Sequence, residues 1–126
     1  MRFLLDTAFL IDHMRGDAGA RRRMADLWAN ATAIYVNEIV VCELMAALAA
    51  ADVPSGEALL RPLEFIQPGP ESALEAGRWR AEARRQGRVL SLADSLMAAA
   101  ADAAGATILT RNPRDFSLTP VAVEGY

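Results

Sequence analysis

The sequence contains no lysine; all thirteen basic residues are arginine. That excludes chemistry that needs a lysine amine, such as Schiff-base formation or the lysine of a phosphate-binding P-loop. There is one cysteine, Cys42, so no intrachain disulfide can form, and its apolar surroundings predict a core position. There is one histidine, His13, which shares helical spacing with Phe9, Leu10 and Met14 and reads as a boundary or core residue. With one histidine and one cysteine, a metal's ligands would be mainly hard oxygens, which argues against zinc. Aromatic residues are scarce, at 6%, and Trp28 and Trp79 read as packing or interface anchors. Neither sign of charge dominates: the net charge is −3, so no whole-molecule basic field points to nucleic acid. Glu43 and Asp102 interrupt the longest apolar runs, so no membrane span is expected. Asp6 interrupts the opening apolar stretch, so no signal peptide is read, and a cytoplasmic location is expected.

What is present is enough for a core. At 126 residues and 53% hydrophobic, the chain reads as a single domain, 1–126, without linker, repeat or low-complexity segment. Phe3-Leu4-Leu5 reads as a short strand buried on both faces, ending at Asp6, with Thr7 able to cap a helix over 7–15. Asp17 can cap a helix over 18–29, with Met24, Leu27 and Trp28 at helical spacing. Thr32–Val36 reads as a second strand, and Asn37 as the cap of a long helix over 38–51. Pro54-Ser55 opens another helix and Phe65–Gln67 a short strand. A charged helix over 71–86 ends at Gly87. Ser91 and Asp94 have the spacing of a capping box, opening an alanine-rich helix that runs to Gly105. Ala106–Thr110 is a strand, Arg111–Ser117 a polar loop, and Val121–Val123 a last strand. Strands alternating with helices predict an α/β fold, a three-layer α/β/α sandwich around a mainly parallel sheet.

Four acids stand out: Asp6, Glu43, Asp94 and Asp115. The helical neighbours of Glu43 are Ile39, Val40, Ala46 and Ala47, none of which can pair with it. Those of Asp94 are Leu90, Ser91, Met97 and Ala98, and Asp6 follows an apolar strand. Each has a plainer use, as a turn or cap residue or in a distant ion pair, and Asp115 has Arg111 and Arg114 nearby. Together they suggest a cation: crowded carboxylates cannot all stay ionised unaided, and a divalent metal removes the conflict. Hard oxygen donors favour Mg²⁺ or Mn²⁺ over zinc, and an ordered metal-activated water is a nucleophile for phosphodiester hydrolysis. Arg80, Arg84 and Arg88 recur at four-residue spacing with no acid three or four residues away, a candidate phosphate-binding face whose plainer reading is a solvated surface.

The chain resembles a PIN-domain ribonuclease, and more narrowly the VapC toxins of type II toxin–antitoxin pairs. The matching stretches are Leu4–Thr7, Asn37–Leu44, Leu92–Ala100 and Ile108–Phe116, in order along almost the whole chain. The resemblance implies a metal-dependent endoribonuclease with Asp6, Glu43 and Asp94 as its acidic triad and Asp115 as the fourth acid. Asn112 stands where many relatives carry another acid. Thr7 and Thr110 match hydroxyl positions that support the site. A VapB-type antitoxin and a homodimer are the implied partners.

Other phosphoryl-transfer classes fit poorly. A haloacid-dehalogenase-like phosphatase needs a second aspartate where this chain has Ala8, and a receiver domain needs a lysine. A non-catalytic PIN-like module that binds RNA or protein, and a nuclease for single-stranded DNA, stay open as alternatives.

Overall fold

In the computed structural model, which describes residues 1–126, the chain runs in order through β1 (Arg2–Leu5), α1 (Thr7–Met14), α2 (Ala18–Asn30), β2 (Ala33–Asn37), α3 (Glu38–Ala47), α4 (Val53–Leu60), β3 (Glu64–Ile66), α5 (Pro70–Arg85), α6 (Leu92–Ala104), β4 (Thr107–Leu109) and β5 (Val123–Glu124). Short 3₁₀ turns lie at Ala50–Asp52 and Pro113–Phe116. The five strands form one sheet in the order β3-β2-β1-β4-β5, every pair parallel. Six helices flank it, giving the expected α/β/α arrangement.

The unbroken apolar run Phe3-Leu4-Leu5 makes β1 the central strand, because a parallel strand between helical layers is covered on both faces. From β1 the chain moves outward through β2 to β3, then crosses back to place β4 on the other side of β1. The boundary between β1 and β4 is therefore the topological switch point, the place where open α/β sheets bind ligands beyond the strands' carboxyl ends. Leu5 pairs with Leu109 there, and the Asp6 N–H donates to the Leu109 carbonyl at 3.0 Å. Asp6 and Thr110 thus leave the sheet side by side.

The alanine-rich helix α6 packs closely because Ala98 to Ala101 are buried and leave little bulk between helix and sheet. Its start is fixed as expected: Ser91 Oγ accepts from the Asp94 N–H at 3.0 Å. Its end is a left-handed cap at Gly105, φ +63, and the Ala106 N–H reaches back to the Ala101 carbonyl at 2.8 Å.

Most boundaries differ from the sequence reading by one or two residues, but three corrections have physical causes. The helix expected over 38–51 stops at Ala47, where Leu48 turns extended. The chain then folds α4 back onto α3 at Gly56, where an added Cβ would lie 2.5 Å from Leu48 Cδ1. Tertiary packing therefore overrides the helical preference of the alanines that follow. Cys42 is exposed rather than in the core. The core face of α3 is Val40 and Leu44, and a residue two positions from each points away. Thr7 is the first helical residue and not the cap; Asp6 holds that position, without a side-chain capping bond. Trp79 packs against the core and Trp28 is exposed.

Candidate active site

Each nominated acid is delivered to the crevice by a different element. Asp6 follows β1 at the N-terminus of α1, where the helix dipole favours negative charge. Glu43 lies on α3, which follows β2. Asp94 sits in the first turn of α6. Asp115 lies in the 3₁₀ turn after β4.

Their mutual electrostatics show that they share one region. Asp6 is only 8% exposed. Burial pushes its carboxyl above the usual aspartate range, hydrogen bonds from Thr110 and the Thr7 backbone pull it down, and the charges of Glu43 and Asp115 push it up. Asp94 is raised for the same leading reason, burial; Ser91 opposes the shift, while Asp115, Asp6 and Glu43 add to it. None of the four acids forms an ion pair with an arginine. Such uncompensated crowding is unfavourable for the protein alone.

Two hydroxyls orient the carboxylates. Thr110 Oγ1 donates to Asp6 Oδ2 at 2.7 Å, and Thr7 Oγ1 donates to Glu43 Oε1 at 2.7 Å. Thr110 in turn accepts from the Asn112 N–H at 3.0 Å. Asn112 therefore supports the site through its backbone. Asn37 ties two of the acid-bearing helices together: its Oδ1 accepts from the Val40 N–H at 3.1 Å, and its Nδ2 lies 3.4 Å from the Leu96 carbonyl of α6. The capping role was legible from sequence; the bridge to α6 was not.

The donor set suits a hard dication, being carboxylate oxygen with no competing cation in contact. No three acidic, histidine or cysteine side chains are drawn tightly enough to hold an ion as they stand. The fit therefore rests on donor chemistry and on shared, uncompensated charge. An apolar groove of about 450 Å³ beside β3, lined by Phe65, Ile66 and Ala100 among others, holds no titratable side chain and offers no comparable chemistry.

The arginine stripe is broken. Arg88 lies beyond the end of α5, with its N–H bonded to the Ala83 carbonyl. The Arg80 Nε–H is committed to the Leu90 carbonyl at 3.1 Å. Arg84 is exposed on the last turn of α5. His13 is partly buried, and its Nδ1 is sealed without a partner.

Sequence reasoning missed a neighbouring cluster. Asp12 on α1 accepts from the Tyr126 hydroxyl at 2.6 Å and pairs with Arg111 Nη1 at 2.8 Å. Burial and the bond to Asp12 raise the Tyr126 phenol well above its ordinary range, and the charge of Asp6 contributes. The only local signal was Asp12 itself, on the same short helix as His13; its partners are 99 and 114 residues away.

The fold and site are those of a parallel α/β domain that carries acids on four elements near the β1–β4 boundary. The PIN domain family matches residues 3–121. The chain is 31% identical to Ribonuclease VapC19 of Mycobacterium tuberculosis over 117 residues, 93% of this chain and 94% of that protein. The fold is shared with VapBC2 of Rickettsia felis, solved bound to a DNA fragment from their promoter, at TM-score 0.85 and 23% identity over 100% of this chain and 99% of that one. It is also shared with DNA-bound VapBC from Salmonella typhimurium, at TM-score 0.84 and 24% identity over 99% and 98%. The chain belongs to the PIN-domain family, among its VapC-type members.

Proposed function

We propose that the chain is a Mg²⁺- or Mn²⁺-dependent endoribonuclease toxin, restrained by a VapB-type antitoxin. The observation that carries this reading is the crowding of Asp6, Glu43, Asp94 and Asp115 at the switch point with no arginine paired to any of them. The VapC19 likeness supports RNA as substrate, and the VapBC complexes that share the fold support a VapB-type partner.

Asp6, Glu43 and Asp94, with Asp115, would hold the cation. When bound, it supplies charge neutralisation and Lewis acidity toward water and phosphate. Thr110 and Thr7 hold Asp6 and Glu43 in fixed orientations, so little reorganisation is needed as charge develops. Water adds to phosphorus in line and the 3′ oxygen leaves, giving 5′-phosphate and 3′-hydroxyl ends. No side chain acts as covalent nucleophile. Arg84 and Arg88 provide outlying phosphate contacts. The toxin works in the cytoplasm, as a homodimer.

The test is cleavage of single-stranded RNA by chain freed of antitoxin, with and without EDTA, beside Asp6→Asn and Asp94→Ala. Cleavage abolished by EDTA and by either substitution, in variants that still fold, supports the reading. Cleavage that survives them overturns it. RNA binding without cleavage by the wild type favours the non-catalytic alternative, and preferential cutting of single-stranded DNA the other.

A further inference from the structure

The four acids offer a polyanionic substrate only repulsion, and a bound dication offsets that at the reacting phosphate alone. Neighbouring phosphates need a donor held at the rim. Among the arginines, Arg111 is placed for this by the structure. It follows Thr110, whose hydroxyl is bonded to Asp6, so its backbone is anchored one residue from the acids. Its side chain is 49% exposed, and only Nη1 is committed within the protein, to Asp12 Oδ1 at 2.8 Å. Nε and Nη2 stay free to donate, and a guanidinium can grip a phosphate with two parallel bonds.

The pairing with Asp12 is itself locked. Asp12 is 14% exposed, and its second oxygen accepts from the Tyr126 hydroxyl at 2.6 Å. The Tyr126 ring stands edge-on to buried Phe9, centroids 4.8 Å apart at 79°. A core aromatic therefore fixes a phenol, the phenol fixes a carboxylate, and the carboxylate fixes one edge of an exposed guanidinium. Arg114, in the following turn, has no such partner.

Resting on the nuclease reading, we propose that Arg111 contacts an RNA phosphate flanking the cleaved bond, and that Asp12 and Tyr126 are positioning residues that aim it. Tyr126 acts only through Arg111, and that dependence can be measured.

The experiment is a double-mutant cycle on single-stranded RNA cleavage, with Tyr126→Phe, Arg111→Ala and the double variant compared with wild type, and Arg111→Lys as the conservative replacement. Tyr126→Phe keeps the ring against Phe9 and removes only the hydroxyl. Arg111→Ala is expected to raise KM about tenfold with kcat within about twofold, and Arg111→Lys to recover part of that loss. Tyr126→Phe is expected to raise KM about threefold in the wild-type background and not at all in the Arg111→Ala background. In an Asp94→Asn background that blocks cleavage, Arg111→Ala should lower the slope of log affinity against log salt by about 0.7, one phosphate contact on a single strand. Equal Tyr126→Phe effects in both backgrounds, or an unchanged KM for Arg111→Ala, overturn the proposal while leaving the nuclease reading intact. A wild-type chain that leaves RNA uncut overturns both.

Discussion

Thr110 Oγ1 donates a 2.7 Å hydrogen bond to Asp6 Oδ2 across the boundary between β4 and β1. Both residues are buried, and they are 104 positions apart in sequence. This bond is the largest influence drawing the Asp6 carboxyl down, against burial and the charges of Glu43 and Asp115, which together raise it. Thr110→Val should therefore push the Asp6 carboxyl higher still. In metal-free chain the Asp6 carboxyl of Thr110→Val should titrate at higher pH than that of wild type, read by carboxyl-carbon NMR. A titration in the wild-type position would show that Thr110 does not tune Asp6.

Asp6 also makes a stability prediction with a definite sign. Its folded-state pKa lies above the ordinary value of 3.8, so the folded chain binds this proton more tightly than the unfolded one. Stability is therefore lost as pH rises from 3.8 through the folded value, and the cost is complete above it. Without divalent metal, Asp6→Asn should melt a few degrees higher than wild type at pH 7, and the difference should vanish near pH 3. A fixed Mg²⁺ concentration should stabilise wild type more than Asp6→Asn, because the stabilisation grows with affinity for the folded state. Thermal melts at two pH values, with and without Mg²⁺, check both statements.

His13 has the opposite sign. Burial first, and the Arg21 charge second, hold its pKa below 6.5. Below 6.5 the unfolded chain takes up a proton that the folded chain refuses. The stabilising contribution is thus complete above 6.5 and is lost as pH falls from there toward the folded value. His13→Leu should flatten the dependence of urea midpoints on pH between 7.5 and 5. The sealed Nδ1, which has no hydrogen-bond partner, gives leucine no polar bond to forfeit there.

Asn37 is 1% exposed and joins the start of α3 to α6. Asn37→Ala should cost about 1–3 kcal/mol in denaturant unfolding, from the lost cap and the groups left unpaired. Asn37→Ser keeps a cap but cannot reach Leu96. It should recover most of the stability while RNA cleavage stays below wild type, since Glu43 and Asp94 ride on the two helices that Asn37 links.

The parts of this molecule that were legible in sequence are those governed by local pattern. Phe3-Leu4-Leu5 announces a strand covered on both faces, Asn37 and Ser91 announce caps, and the apolar helical neighbours of Glu43 and Asp94 announce acids without an arginine partner. The parallel sheet followed from the alternation of strands and helices, whereas the order β3-β2-β1-β4-β5 did not. What escaped depends on contacts distant in the chain. Cys42 is apolar enough for a core, but only packing decides which stripe of α3 faces inward. The end of α3 at Ala47 is set by the close return at Gly56. Arg80 has no acid three or four residues away along α5, but its Nε–H is committed to the Leu90 carbonyl. Asp12, Arg111 and Tyr126 meet only because β5 and the turn before it bring the end of the chain back to α1, and no short-range pattern encodes that meeting.

The proposed function depends on one electrostatic premise: Asp6, Glu43 and Asp94 act together in binding a divalent cation. Calorimetric titration of Mn²⁺ into antitoxin-free chain measures this directly, beside Asp6→Asn, Glu43→Gln and Asp94→Asn. Saturable binding by wild type, weakened at least tenfold by each substitution in chains that melt normally, is the predicted result. Binding that is absent in wild type, or that survives all three substitutions unchanged, would contradict it.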